Sequence, residues 1–194
     1  MQLSRALIDT PIGEMIALSS DEGLCALEFI TVRTDLQTGP YKNKHTGQER
    51  QRRLNARLAR WFPPHEIVDR ESATLRRTRN WLEAYFAGAS AEVGDLPLDM
   101  RGAPFEQRVW QALTEIPPGK TTSYGAIAAA LQSPAASRAV GAANGANPVS
   151  IIVPCHRVIG ASGALTGYGG GLERKTWLLD HERRWRHEPQ PSLF

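Results

Sequence analysis

At 194 residues, with 41% hydrophobic and 22% charged residues, the chain is long enough to bury one or two real cores, which excludes a disordered or fibrous polymer. A formal charge of +3, a pI near 9.1 and arginines gathered in clusters permit a polyanionic partner without requiring one. The opening MQLSRALIDTPIGEMIALSS breaks its apolar residues with Ser, Arg, Asp, Pro and Gly, so neither a signal peptide nor a membrane span is expected, and the expected location is cytoplasmic.

Residues 4–30 hold apolar runs separated by the turn signals Pro11-Ile12-Gly13 and Asp21-Glu22-Gly23, which predicts a small antiparallel sheet. Cys25 lies among apolar neighbours there and reads as a buried small hydrophobe. It and Cys155 are far apart, with no CxxC and no zinc-ligand spacing, so two free thiols and no metal are expected. The polar stretch 31–50 reads as an exposed loop. Leu54, Leu58 and Trp61 then recur at helical spacing, and the arginines among them read as a solvated face in preference to a nucleic-acid patch. A second helix carries Leu75, Trp81, Leu82, Tyr85 and Phe86 and stops at Gly88. The polar residues 89–95 place a domain boundary between 98 and 99, giving domains 1–98 and 99–194.

The second half reads as short helices joined by tight turns. Phe105, Val109, Trp110, Leu113 and Ile116 share one helix face, closed by Pro117-Pro118-Gly119. A helix from about Ser123 to Gln132 follows, and Ser133 and Pro134 offer a cap and a first-turn proline for a third. The pair is a helix-turn-helix candidate. The third helix is nearly all Ala, Gly and Ser, which suits close packing against another helix. Its one long side chain, Arg138, instead favours entry into a DNA groove and the base stack.

The segment NPVSIIVPCHRVIG (147–160) predicts a buried strand, Ser150 to Val153, stopped by Pro154 and followed by Cys155, His156 and Arg157. A thiol attacks as its thiolate, and a neighbouring base or cation is the usual means of making one near neutral pH. His156 can serve Cys155 if the chain bends at Pro154. A carboxylate should orient the imidazole, with Glu182 preferred to Asp180.

PCHRVIG, with SRAVGAANGANPVSIIV before it and GALTGYGGGLERKTWLLDHE after it, closely resembles the O6-alkylguanine-DNA alkyltransferases, nearest to the bacterial constitutive type. The likeness runs almost unbroken from about Pro104 to Glu182 and is looser before that. It implies an α/β (α+β) fold: an amino-terminal ribonuclease-H-like antiparallel sheet with helices, then a mostly helical domain with a helix-turn-helix and the cysteine loop. By resemblance, Cys155 accepts the alkyl group irreversibly, His156 takes the thiol proton through a water, Glu182 holds the imidazole and Asn147 braces the loop. Tyr124 crowds the target phosphate and protonates the departing purine. Arg138 fills the place of the flipped nucleotide, and Ser123, Ala135, Ala136, Ala139 and Asn144 face DNA in the minor groove. Val158, Tyr168, Gly169 and Gly170 border the base pocket. With Gly171 behind them, the glycines suggest a pocket wide enough for bulky adducts. Expected substrates are O6-alkylguanine and, less firmly, O4-alkylthymine in duplex DNA, with a monomeric protein and no cofactor. A helix-turn-helix regulator without repair activity and a cysteine hydrolase are the alternatives. A non-repairing alkyltransferase-like binder is disfavoured because the acceptor position retains cysteine.

Overall fold

The computed structural model describes residues 1–30, 47–89 and 93–185. Most of the loop expected at 31–50 lies outside these residues, as do residues 90–92 of the polar stretch before the expected boundary.

Strands β1 (Gln2–Ile8), β2 (Met15–Ser19) and β3 (Leu24–Phe29) form the expected antiparallel meander, with order β3-β2-β1-β4. Strand β4 (Glu66–Asp69), unexpected from the sequence, pairs parallel with β1 and makes the sheet mixed. Its polar, largely exposed EIVD offers none of the apolar alternation that marks a strand. All five residues of β2 are buried, because the sheet is covered on both faces. Ile16 and Leu18 pack with Leu54 and Leu58 of α1 (Gly47–Trp61), whereas Met15 and Ala17 join the main core with Leu75 and Leu82 of α2 (Ala73–Phe86). Ser72 caps α2 by accepting from the Leu75 amide at 3.1 Å, and Gly88 follows its end at φ 78°, a left-handed turn suited to glycine. Cys25 is fully buried, and burial pushes its thiol up to about 12, so it stays protonated.

The arginines of α1 do not form a uniformly solvated face. Arg50 is buried, and half-buried Arg57 donates to the Cys25 carbonyl.

Helix α3 (Pro104–Thr114) sends the Trp110 indole N–H to the Ala143 carbonyl at 2.8 Å, fixing it against α5 (Ser137–Gly145). Two-residue strand β5 (Thr122–Ser123) leads into α4 (Tyr124–Ala130), where Ser123 is the N-cap. Ser133 makes no capping bond; a 3-10 turn, Pro134–Ala136, intervenes before α5. Strand β6 (Val158–Ile159) pairs parallel with β5, and α6 (Leu172–Trp185) closes the described chain.

The strand expected at Ser150–Val153 is instead a compact turn, with Ile151 at φ 71°. Its apolar side chains are buried as expected, but most of its backbone bonds are local: Ile152 N–H to Ser150 O at 2.9 Å and Val153 N–H to Val149 O at 3.0 Å. Only the Leu27–Val149 bridge ties it to β3, through Leu27 N–H to Pro148 O (2.9 Å) and Ser150 N–H to Leu27 O (2.8 Å). The loop before the cysteine therefore hangs on the amino-terminal sheet, and one apolar core runs through both halves. Among the described residues, no helix is long and apolar enough to cross a membrane.

Candidate active site

Cys155, His156 and Arg157 form one 3-10 turn, all buried. This is the bend that the Pro154 stop required, and it turns the imidazole toward α6. His156 Nε2 lies 2.8 Å from Glu182 Oε1, with both side chains at 0% exposure. Asp180, the alternative partner, instead pairs with Arg183 at 3.1 Å.

Glu182 accepts from three further residues. Arg157 donates through Nε (3.0 Å) and Nη2 (2.8 Å), Tyr85 through its hydroxyl (2.9 Å) and Gly119 through its amide (2.9 Å). The Pro117-Pro118-Gly119 turn that ends a helix in sequence thus also presents an N–H to the carboxylate, with Gly119 at φ 67°. Arg157 Nη1 donates to the Ile116 carbonyl. Burial pushes the Glu182 carboxyl up, but His156 and Arg157 outweigh it and hold the group well below the usual carboxylate range. An ionised carboxylate only accepts, so the proton sits on His156 Nε2 and the Nδ1 lone pair is left as a base. Nδ1 is buried without a hydrogen-bond partner among the described residues, and burial drives the imidazole below its ordinary pKa, keeping it neutral.

Burial also pushes the Cys155 thiol up, opposed by the Asn147 side chain and the Lys175 ammonium. The resting group is a thiol, so attack needs a base. Asn147 holds the loop: its Nδ2 donates to Val153 O at 2.8 Å and its Oδ1 accepts from Val149 N–H at 3.0 Å. Asn144, expected to face DNA, is 3% exposed, with Nδ2 3.4 Å from the Cys155 carbonyl, so it supports the turn from within. Arg138 and the neighbouring Ala135 and Ala139 are exposed, and Ala136 is half-buried. Half-buried Tyr124 accepts a hydrogen bond from Thr166 at 3.1 Å, linking α4 to the glycine-rich loop.

Val158 and Tyr168 are both buried, and the Tyr168 ring stands edge-on to His156 at 6.3 Å. The glycines behind Tyr168 are not uniformly spare room. A Cβ on Gly170 would fall 2.4 Å from a Tyr168 ring carbon, so that space belongs to the tyrosine, whereas a Cβ on Gly169 meets nothing within 4 Å.

Four contributors had no role in the sequence reading: Arg157, Lys175, Tyr85 and the Gly119 amide. Lys175, fully buried, donates to the Val158 and Thr166 carbonyls at 2.6 Å each, and burial pushes it down to about 8. Its signal was available: Lys175, Leu178, Leu179 and Glu182 follow the i, i+3, i+4, i+7 pattern that places charged residues on a buried stripe. Tyr85 read simply as a core aromatic, and the Gly119 amide carries no sequence signal. Among the described residues, no group of His, Cys, Asp and Glu could hold a metal.

The 6-O-methylguanine DNA methyltransferase ribonuclease-like domain matches residues 3–100, and the DNA-binding domain of the same family matches residues 104–184. A methylated-DNA--protein-cysteine methyltransferase of Mycobacterium leprae is 43% identical over 186 residues, covering 96% of this chain and 94% of that protein. One from Mycolicibacterium paratuberculosis is 62% identical over 108 residues, 56% of this chain and 64% of that relative's length. The chain superimposes on Mycobacterium tuberculosis OGT in complex with DNA with a TM-score of 0.70 at 38% identity, over 95% of this chain and 94% of the other.

Proposed function

This chain belongs to the 6-O-methylguanine DNA methyltransferase family, and from that premise we propose that it repairs DNA by direct reversal, moving an alkyl group from O6 of guanine irreversibly onto Cys155. The observation that carries this reading is the buried Glu182–His156 pair, with the imidazole in the same turn as the thiol and Nδ1 left as the base.

His156 Nδ1 takes the Cys155 proton through a bridging water, and the imidazolium is stabilised by Glu182. The thiolate sulfur attacks the alkyl carbon. The carbon–O6 bond breaks, its electron pair passes into the guanine ring, the Tyr124 hydroxyl supplies a proton to a ring nitrogen, and the tyrosinate regains a proton from solvent as the imidazolium releases the one it took from Cys155. The products are a thioether and an unmodified guanine. Asn147 and Asn144 hold the turn, and Lys175 supports the thiolate electrostatically. Because a stacked O6 cannot reach a buried sulfur, the nucleotide must flip out, with Arg138 entering the space it leaves from the minor-groove side. The small, exposed Ala135 and Ala139 suit close approach of α5 to that groove. Residues 1–98 supply the sheet that carries the cysteine loop, and residues 99–194 supply DNA binding and acceptance. The working form is a cytoplasmic monomer, with O4-alkylthymine as a secondary substrate.

The test is intact-protein mass spectrometry after mixing with an excess of duplex containing O6-methylguanine. One methyl per protein, on the peptide holding Cys155, is expected. Continued turnover, or a methyl elsewhere, overturns the reading.

A further inference from the structure

Four arginines of α1 take no part in alkyl transfer. Arg50, Arg53, Arg57 and Arg60 follow at intervals of three, four and three residues, so they share one helix face over about 15 Å. They line one wall of a cleft of about 580 Å³, whose other side takes in Gly141 and Gly145 of α5, Asn147 of the cysteine loop, and Gly169 and Gly170 of the loop expected to border the base pocket. Arg50 is only 6% exposed, yet among the described residues none of its three guanidinium nitrogens has a hydrogen-bond partner. Glu28 and Glu106 also line the cleft, but among the described residues neither forms an ion pair with these arginines. A buried guanidinium without a hydrogen-bond partner costs stability even with Glu28 attracting it through space, and an anion from outside would offset that cost.

We propose that this cleft receives one sugar-phosphate ridge of the bound DNA, extending the interface from α5 onto the amino-terminal domain. The proposal rests on the DNA-binding reading above. A helix in a minor groove about 6 Å wide has a phosphate ridge on each side of it. On the α1 side, the nearly bare flank of α5 lets that ridge sit deep enough to meet the arginines. Arg53 and Arg60 are exposed, and Arg60 is held in place by stacking on Trp61 at 4.8 Å. Four cations in one row, continuous with the α5 face, match a run of phosphodiesters better than a single small anion.

The experiment measures binding of a fluorescent duplex by anisotropy across a salt series, for wild type, Arg53→Ala/Arg60→Ala and Arg50→Met. Losing two phosphate contacts should flatten the slope of log affinity against log salt by about 1.8. Arg76→Ala/Arg77→Ala on α2, an equal charge change outside the cleft, should leave the slope unchanged. Arg50→Met should raise the melting temperature of the free protein while weakening duplex binding at least threefold. An unaltered slope in Arg53→Ala/Arg60→Ala, an equal change in the α2 control, or full duplex affinity in Arg50→Met overturns the proposal. Methyl transfer from the same duplex to wild type is followed in parallel. If transfer occurs and the slopes do not respond, the cleft assignment alone fails; if no transfer occurs, the repair reading fails and the slopes still judge the cleft.

Discussion

Replacing Tyr85 with Phe deletes one buried hydroxyl from the amino-terminal domain, and its effect should be read at the thiol. That hydroxyl donates to Glu182 Oε1, the oxygen that also accepts from His156. A hydrogen bond to a charged group contributes about 1.5–3 kcal/mol. Glu182 keeps its bonds from Arg157, Gly119 and His156, so the loss should fall near the lower end, about 1.5 kcal/mol in urea unfolding. With one donor gone, the carboxylate's charge bears more strongly on the imidazole and raises its pKa. If half of the lost energy reaches His156, about 0.7 kcal/mol, the shift is about half a pH unit upward. Alkyl transfer needs the neutral imidazole, which burial favours in wild type by lowering its pKa. The acid limb of the single-turnover rate with free O6-benzylguanine should therefore move to higher pH in Tyr85→Phe. Lost stability with an unmoved acid limb would reduce Tyr85 to packing, and a downward shift would refute the electrostatic reasoning.

Arg138→Ala should slow repair of duplex DNA much more than reaction with free O6-benzylguanine, because only the duplex has to be held open. Lys175→Met should slow both reactions by removing the cation opposed to thiol burial. The lysine has a folded pKa of about 8 against an ordinary 10.5, so the unfolded chain binds more protons between those values. Its contribution makes wild-type stability rise with pH across that window, and the rise should vanish in Lys175→Met when unfolding is measured at each pH. Gly170→Ala should cost about 1–3 kcal/mol by overpacking Tyr168, while Gly169→Ala, facing open space, should stay within about 0.5 kcal/mol of wild type in urea unfolding.

Helix periodicity made α2 and α3 legible, because each has a buried stripe that the sequence must spell out, whereas α5 was legible from its small-residue composition and a proline before it. The polar EIVD of β4 was not legible, since an edge strand gains its place from the main-chain bonds of β1 and needs no apolar alternation. Ser150–Val153 misled in the opposite direction: four buried residues look alike whether their backbone bonds run to a neighbouring strand or close on themselves. The Cys155 and His156 positions stood out because they are reactive residues directly after an apolar run, and Glu182 because the imidazole calls for a carboxylate. Tyr85 and the Gly119 amide did not, because a hydroxyl or a main-chain N–H becomes specific only when the fold aims it. Arg50 was read as solvated because helix periodicity says which side chains share a face but not how deeply a second domain covers them.

The carboxylate that orients the imidazole takes hydrogen bonds from residues 85, 119, 156 and 157, while itself standing at position 182. These pairings span up to 97 positions of chain, so the cluster cannot close around its hub until the segment carrying Glu182 has been synthesised. At about 5–20 residues per second, the 27 positions between Cys155 and Glu182 represent a delay of roughly one to five seconds on the ribosome. Throughout that interval the nascent thiol has neither an oriented base nor an enclosing pocket. The geometry thus times its own activation, leaving an acceptor that can be spent only once chemically idle until the segment carrying Glu182 has been made.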